Sequence, residues 1–299
     1  MQNLLKTVPQ CLIRHISTVD REKACQLLSK LTENANELML KSLTKSPEYT
    51  IKLNSRDFVT ETDKAVERLL VNGIRKQFPD HIIIAEEGTE GVSKSKEITA
   101  APTWIIDPID GTMNFVHGFP HFCTSIALYV EKKAELAWIS NPMLRHNYVA
   151  QRGKGVYFNG QPRRVSNQRD LRQSLIYLEW SLRRRQKDNV NVSMENKIKL
   201  LPLVHGIRSL GSAALNLAHV AIGACDAYVQ FGPQVWDWAA GVLMVQEAGG
   251  VVIDPCGGEF DIQSQRLLAA STPELAEQFL PILIQMFPGD TKSTKPAKS

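Results

Sequence analysis

Apolar and polar positions in the first half of the chain follow two different periods. Apolar residues recur at helical spacing over 20–42 and 62–78, which predicts two amphipathic helices, the second capped by Thr62. Short strands are predicted at 49–53, 81–85 and 104–106 and, separated by turns, within 123–158. We therefore expect an antiparallel sheet with helical layers in this half.

Beyond Asp170, strands and helices alternate. The strands are predicted at 174–179, 205–210, 226–231 and 250–254, and the helices at 188–201, 212–222, 237–248 and 273–287. Such alternation is typical of a mostly parallel, helix-covered sheet, so the fold class combines α+β and α/β. We expect four segments: an extension at 1–19, an α+β lobe at 20–165, an α/β lobe at 166–288, and a disordered basic tail at 289–299.

The composition is that of an ordinary globular protein. The 299 residues are 43% hydrophobic and 22% charged, with 18 Gly and 15 Pro, which excludes collagen-like and disordered chains. No apolar run approaches the roughly 18 to 20 residues that span a bilayer, so no membrane association is expected.

The net charge of +4 does not indicate a nucleic-acid-binding protein. The basic excess lies at the chain ends, within 1–19 and 289–299, whereas positive and negative charges balance over 20–288. A body without net charge has no long-range field that attracts a polyanion. We therefore expect no nucleic-acid partner.

The five cysteines favour a reducing compartment. Their number is odd, they are widely spaced and no C-x-x-C pair occurs, so neither a disulfide framework nor a zinc site is indicated. A cytoplasmic location is expected. The stretch 1–17 has no acidic residue and is mildly amphipathic, which leaves a mitochondrial transit peptide as the alternative.

Two acidic residues follow an apolar strand in the segment WIIDPIDGT. Because Trp-Ile-Ile predicts a buried strand, Asp107 and Asp110 are expected to emerge at an internal cleft, after a turn fixed by Pro108. Two buried anions repel each other, and a divalent cation relieves the repulsion. Oxygen ligands without His or Cys favour Mg²⁺ or Mn²⁺ over Zn²⁺. For this motif alone, a structural turn remains the alternative.

The residues after these carboxylates are suited to bind an anion. Gly111 and Thr112 open a short predicted helix, whose backbone N–H groups beside a cation would form a cradle for phosphate. Glu86 and Glu87 follow another apolar strand, and Asp237 lies between two tryptophans at a helix start, where it could also be an N-cap. Together these sites predict a phosphatase with two or three metal ions.

Several long segments resemble the inositol monophosphatase family. They are DFVTETDKAVE, AEEG, WIIDPIDGTMNFVHGFP, GIRSLGSAALN and WDWAAGVLMVQEAGG, and the resemblance runs from about residue 20 to 285. It implies a layered αβαβα sugar-phosphatase fold, Mg²⁺-dependent and lithium-sensitive phosphomonoesterase activity, and a homodimer. It also implies a role in inositol biosynthesis and phosphatidylinositol signalling.

The family pattern implies a role for each matching residue of the metal site. Glu86, Asp107 and the backbone carbonyl of Ile109 would bind a first Mg²⁺ ion. Asp107, Asp110 and Asp237 would bind a second, with Asp107 bridging, and Glu86 would help to hold a weaker third ion. Mn²⁺ is expected to substitute for Mg²⁺.

The catalytic residues implied by the resemblance are Thr112, Asp63 and Glu86. Thr112, hydrogen-bonded to Asp63, would orient and activate the attacking water. The alternative for Asp63 is a first-turn acid favoured by the helix dipole. Lys52, five residues before Asp57, matches the family's active-site lysine, or is a solvated lysine at a strand edge.

The substrate-binding residues implied by the resemblance hold the phosphate through the N–H groups of Gly111 and Thr112 and contact the ring hydroxyls. The full set is Glu86, Ile109, Asp110, Gly111, Thr112, Gly211, Ser212, Ala213, Gln230 and Asp237. Gln230 stands where the family commonly has Glu, so the substrate follows less directly than the chemistry.

The expected activity is that of a phosphoric monoester hydrolase. It would convert an inositol monophosphate, such as inositol 1-phosphate, to myo-inositol and phosphate. Other sugar or nucleotide phosphates are alternative substrates for the same chemistry. An alternative of another class is a catalytically silent relative that binds metal or a partner, although such relatives typically lose a metal carboxylate or the threonine, and all of these are present here.

Overall fold

The computed structural model describes residues 18–44, 49–51, 58–93, 97–180 and 187–287. Within these ranges the helices are α1 (Thr18–Leu43), α2 (Glu61–Gln77), α3 (Thr112–Val116), α4 (Lys187–Leu200), α5 (Ala213–Ala221), α6 (Val235–Glu247) and α7 (Pro273–Phe279). The strands are β1 (Tyr49–Ile51), β2 (Phe58–Thr60), β3 (Ile82–Ala85), β4 (Thr103–Asp110), β5 (Cys123–Val130), β6 (Lys133–Asn141), β7 (His146–Gln151), β8 (Gly155–Phe158), β9 (Gln161–Arg163), β10 (Leu175–Leu178), β11 (Gly206–Arg208), β12 (Ala227–Phe231), β13 (Val251–Ile253) and β14 (Arg266–Ala270). In this part of the chain no helix is long and apolar enough to cross a membrane.

Two mixed sheets form the frame of the protein. The larger has the order β3-β4-β5-β6-β7-β8-β9, in which β3 and β4 are parallel and the other neighbours are antiparallel. The smaller has the order β11-β10-β12-β14-β13. β10 runs parallel to β11 and β12, whereas β14 runs antiparallel to β12 and β13. β1 and β2 form a separate antiparallel pair.

Three clusters of buried apolar side chains join five layers. On β4, Trp104 and Ile106 pack with the cluster of α1 and α2, whereas Ile105 on the opposite face packs with the cluster of α5 and α6. On β14, Leu267 joins the cluster of α5 and α6, and the next residue, Leu268, joins the cluster of α7. The layers therefore alternate as helix, sheet, helix, sheet, helix, and the predicted fold class is confirmed.

Helix boundaries differ from the prediction at two places. Thr60, rather than Thr62, caps α2, because its hydroxyl oxygen accepts hydrogen bonds from the first turn while Asp63 accepts the Thr60 N–H (2.8 Å). The last helix ends at Phe279 instead of residue 287. Pro281 explains the early end, since it lacks an N–H and clashes with the preceding turn of a helix.

The smaller sheet is less parallel than the alternation of elements predicted. The strand Arg266–Ala270 was not predicted, and it lies between β12 and β13, antiparallel to both. Its sequence, RLLAA, is buried throughout and carries neither polar alternation nor β-branched residues, which are the usual signals of a strand. Half of the pairings in this sheet are therefore antiparallel.

Some predictions fall outside the described residues. Lys52 and the tail at 289–299 belong to this group, as does the extension up to residue 17. The division of the chain into lobes at 165 and 166 also stays a prediction, since the cluster around α5 and α6 contains side chains from both sheets.

Candidate active site

The end of β4 brings two carboxylates to the same region. Residues three apart on a regular strand, such as Asp107 and Asp110, point to opposite faces. Here Asp107 pairs with Ser125 but Asp110 pairs with Cys123, so the register shifts by one residue between them. Such a β-bulge re-aims side chains. A bulge within the strand, in place of the predicted turn at Pro108, therefore aligns the carboxylates.

A third carboxylate comes from the second half of the chain. Asp237 is the third residue of α6 and is partly buried, whereas Asp107 and Asp110 are buried. Carboxylate oxygens of these three residues all lie within 4.8 Å of one another. The structure thus brings together three of the predicted metal ligands. The charge of Glu86, which directly follows β3, raises the pKa of two of them, Asp110 and Asp237.

Burial and mutual repulsion disfavour the charged forms of these side chains. Burial raises the pKa of Asp110 to about 7, and the charge of Glu86 acts in the same direction, against hydrogen bonds from α5 that lower it. Burial also raises the pKa of Asp237, with added repulsion from Glu86 and Asp110. A divalent cation would stabilise all of these carboxylates in their ionised form. The oxygen-only donor set fits Mg²⁺ or Mn²⁺.

Three helices begin at the site, and each N-terminus holds one carboxylate. Asp110 accepts hydrogen bonds from the Ser212 hydroxyl (2.5 Å) and the Ala214 N–H (2.7 Å) at the start of α5. Asp237 in α6 and Asp63 in α2 are third helical residues, and each accepts the N–H of its cap residue, at 2.7 Å and 2.8 Å. Because helix N-termini stabilise negative charge, they offset part of the repulsion.

Thr112 lies within hydrogen-bonding distance of two acceptors. Its hydroxyl oxygen is 3.3 Å from Oδ1 of Asp63 and 3.0 Å from the carbonyl oxygen of Ile109. A hydroxyl carries one proton and donates to one acceptor at a time. The predicted contact between Thr112 and Asp63 is therefore present, with the Ile109 carbonyl as a second acceptor.

Gly111 lies where loops from the two halves of the chain meet. Its φ is +89°, and a Cβ added there would stand 2.9 Å from the carbonyl oxygen of His121 and 3.2 Å from that of Gly211. Asn114 closes the same contact, since its Nδ2 donates to the carbonyl oxygens of His121 (2.7 Å) and Leu210 (2.7 Å). This contact seats the start of α3 against the segment that leads into α5.

The remaining predicted substrate contacts lie in the second half. Ser212 and Ala213 are buried at the start of α5, and Gly211 before them is exposed. Gln230 is buried on β12, the strand that precedes α6 and its Asp237. Oε1 of Gln230 has no hydrogen-bond partner among the described residues, so a buried acceptor remains available to a ligand.

Sequence reasoning missed two buried glutamates that hold loops of the site. Glu67 accepts the N–H groups of Glu87 and Thr89, and Glu179 accepts those of Leu210 and Gly211. Each had a signal in the sequence. Glu67 stands within the otherwise apolar stripe of α2, and Glu179 follows an apolar strand, as Glu86 does.

The fold and the site define a layered α/β protein with an acidic centre suited to a divalent cation. The profile described as the inositol monophosphatase family matches residues 14–285. Inositol monophosphatase 1 of Bos taurus is 42% identical over 249 residues, which cover 83% of this chain and 89% of the relative. Inositol monophosphatase 2 of Homo sapiens is 41% identical over 256 residues, covering 85% and 88%.

A solved structure of similar shape is the IMPase of Thermotoga maritima. Its TM-score is 0.77 at 32% sequence identity, and the match covers 88% of this chain and 96% of that chain. The chain belongs to the inositol monophosphatase family and is a phosphoric monoester hydrolase. The family is metal-dependent and acts on small phosphate substrates, and the acidic cluster of this chain could bind a metal.

Proposed function

We propose that this protein is a Mg²⁺-dependent phosphatase that hydrolyses inositol monophosphates, such as inositol 1-phosphate, to myo-inositol and phosphate. The observation that carries the proposal is the approach of carboxylate oxygens of Asp107, Asp110 and Asp237 within 4.8 Å, with Asp110 and Asp237 held at the N-termini of α5 and α6. The identity of about 41% to curated inositol monophosphatases supports the inositol phosphate as substrate.

The proposed metal ligands follow the family pattern. Glu86, Asp107 and the Ile109 carbonyl would hold one Mg²⁺ ion, and Asp107, Asp110 and Asp237 a second, with Glu86 also serving a weaker third ion. Mn²⁺ would substitute for Mg²⁺. When bound, these ions would lower the pKa of a water molecule and stabilise negative charge on the phosphoryl oxygens.

Thr112 and Asp63 would orient the attacking water. Use of the Ile109 carbonyl as a metal ligand leaves Asp63 as the acceptor for the Thr112 proton, at 3.3 Å. The threonine oxygen then faces water with its lone pairs and accepts a hydrogen bond from it. A new bond forms between water oxygen and phosphorus as the ester P–O bond breaks, and the products are the alcohol and phosphate.

The ligand would lie between the two halves of the chain. Gly111 and Thr112 would donate backbone N–H groups to the phosphate. Gly211, Ser212, Ala213 and Gln230 would contact the ring hydroxyls, and Glu86, Ile109, Asp110 and Asp237 would line the phosphate side. Lys52 remains a predicted contact.

Gln230 favours a second candidate function, hydrolysis of other sugar or nucleotide phosphates by the same machinery. A neutral amide grips ring hydroxyls less strongly than a carboxylate, because hydrogen bonds to charged groups are the stronger ones. A weaker grip would broaden the range of accepted esters while the metal and phosphate contacts stay the same.

Phosphate release from a panel of esters tests both candidates. The panel contains inositol 1-phosphate, inositol 4-phosphate, sugar phosphates and adenosine 3′,5′-bisphosphate, each with Mg²⁺ and with excess chelator. Inositol phosphates should give the highest kcat/KM, and the chelator should abolish it. Release that is indifferent to Mg²⁺, or fastest with a nucleotide, would contradict the first proposal. No release at all would favour a silent relative.

A homodimer and a cytoplasmic location complete the proposal. Light scattering on the eluting protein measures the first, and a monomeric mass would contradict it. Imaging of a tagged full-length chain measures the second, with mitochondrial signal as the contrary result. The described cysteines (Cys25, Cys123, Cys225 and Cys256) are all free thiols, which agrees with a reducing compartment.

A further inference from the structure

Glu67 is an acidic residue inside the apolar face of α2. It is fully buried, and its helix buries Val66 and Leu70 beside it. Both carboxylate oxygens accept backbone hydrogen bonds: Oε2 from the N–H of Glu87 and Oε1 from that of Thr89, each at 2.7 Å. Burial of a carboxylate is unfavourable unless it is hydrogen-bonded, so these two contacts hold Glu67 in place.

The loop that Glu67 binds begins with Glu86. The backbone of Glu86 is tied to the sheet by a hydrogen bond from its N–H to the Ile106 carbonyl at 3.3 Å. Beyond it, Gly88 has a φ of +63° and no atom within 4 Å of an added Cβ, so the tip of the loop has open space around it. The two short hydrogen bonds to Glu67 therefore bracket a turn whose tip, Gly88, is exposed.

We propose that Glu67 is a positioning residue that fixes the backbone after Glu86 and thereby aims the Glu86 carboxylate at the acidic cluster. This inference rests on the proposed role of Glu86 in metal binding. Charge-assisted hydrogen bonds are about twice as strong as neutral ones, which suits a carboxylate that must hold two N–H groups at once. Because Asp63 lies one helical turn before Glu67, α2 supports both the metal side and the water-orienting side of the site.

Glu67→Gln leaves one acceptor, the amide oxygen, because the amide nitrogen is a donor; the variant can therefore no longer accept both hydrogen bonds. Glu67→Asp keeps the charge but shortens the side chain by one methylene, so it also cannot reach both N–H groups. In both variants we expect the backbone amide hydrogens of Glu87 and Thr89 to exchange with solvent at least tenfold faster than in the wild type. We also expect the dissociation constant for Mg²⁺, measured by calorimetry without substrate, to rise about tenfold, which is about 1.4 kcal/mol.

Glu179→Gln is the matched control. Glu179 is a buried glutamate on the substrate side whose Oε1 accepts the N–H groups of Leu210 (2.6 Å) and Gly211 (3.0 Å) and the side-chain amide of Asn216 (2.9 Å). Glu179→Gln keeps an oxygen acceptor but loses the charge that strengthens these hydrogen bonds. Its variant should raise the KM for inositol 1-phosphate and leave the Mg²⁺ dissociation constant within about twofold of the wild type. The Glu67 variants should show the opposite pattern: a raised Mg²⁺ dissociation constant and, at saturating Mg²⁺, an unchanged KM.

Several results would overturn the inference. One is wild-type Mg²⁺ binding in a folded Glu67→Gln protein, whether or not the two amides exchange faster. Another is weak binding in Glu67→Gln but normal binding in Glu67→Asp, which would assign the effect to charge alone. If Glu67→Gln fails to unfold cooperatively, Glu67→Asp decides. Absence of wild-type phosphate release would overturn the proposed function, whereas a Mg²⁺ affinity that depends on Glu67 would still support the positioning role.

Discussion

The two sides of the site are built in different ways. On the side of the larger sheet, Asp107 and Asp110 belong to buried strand β4 and pair with Ser125 and Cys123 of β5. On the side of the smaller sheet, the segment leading into α5 is a loop whose exposed Gly211 is held by hydrogen bonds from its backbone to Glu179. The comparison teaches that the proposed metal ligands Asp107 and Asp110 lie in a paired strand, whereas the proposed ring contact Gly211 lies in a loop anchored by one side chain.

The largest effect is expected on the side of the larger sheet. Asp107→Asn removes a charge from the proposed bridging position and should lower kcat/KM about 10³-fold or more, which corresponds to about 4 kcal/mol in activation free energy. The metal-free protein should unfold at the same or a higher temperature, because one repulsive charge is lost. Asp80→Asn, at an exposed position, is the control. Undiminished Mg²⁺-dependent turnover by a folded Asp107→Asn protein would disprove the assignment.

The pair that orients water should give the next largest effect. Thr112→Ala and Asp63→Asn should each lower kcat about 10²-fold with little change in KM, since the contact acts on the attacking water. The double variant should lose little more than the worse single variant. Additive losses in this cycle would show that the two residues act separately.

The contact between the two sides can be broken at Gly111. Gly111→Ala forces a Cβ against the carbonyl oxygens of His121 and Gly211 at a φ of +89° and should cost about 3 kcal/mol in unfolding free energy. Gly118→Ala isolates the backbone term, because Gly118 has a φ of +66° and open space around it. It should cost about 1 kcal/mol. Equal losses in urea unfolding would show that the close approach is unimportant.

A buried histidine in the helix layer between the sheets should make the free energy of unfolding depend on pH. Burial lowers the pKa of His219 on α5 to about 4, and the neighbouring His121 and His146 act in the same direction. The unfolded chain binds the proton first as pH falls, so this contribution is complete above about pH 6.5 and is lost toward pH 4. Its size is about 3 kcal/mol over the whole pH range.

His219→Gln measures this contribution, since a Gln side chain can donate a hydrogen bond to, or accept one from, the Tyr177 hydroxyl, which now lies 2.8 Å from Nδ1 of His219. The difference in unfolding free energy between wild type and variant should change between pH 6.5 and 4.5, with the wild type losing more. A difference independent of pH would mean that His219 does not titrate in this range.

The smallest effect is expected at Gln230, on the side of the smaller sheet. Gln230→Glu should lower the KM for inositol 1-phosphate by about tenfold and narrow the range of accepted esters, because a carboxylate accepts stronger hydrogen bonds. The kcat should change little. An unchanged substrate profile would move ligand selection to other contacts, and the same assay on Glu179→Gln would then locate it.

Local patterns predicted the elements that carry the chemistry, but not how they are joined. The apolar stripe of α2 and the apolar run before Asp107 are visible in the sequence. The acidic residues that follow apolar runs are visible there too. The bulge between Asp107 and Asp110 is a shift of one residue in the pairing with β5. No local period encodes such a shift, because it depends on the partner strand.

The missed residues share a different cause. Glu67 and Glu179 contact loops 20 and 31 residues away, so composition around them carries no trace of the partner. The strand Arg266–Ala270 was missed because a small, fully buried strand needs no polar alternation. Local sequence patterns therefore do not reveal contacts between distant residues or strands that are completely buried.

The contact between Asp110 and α5 has a consequence for assembly of the molecule. Ser212 caps α5 locally, so the start of this helix is specified by its own segment. The hydrogen bond from the Ala214 N–H to Asp110 instead closes a sequence separation of 104 residues, and loop closure over such a span costs chain entropy. This contact, and with it the acidic cluster, is therefore complete only once both halves of the chain have docked.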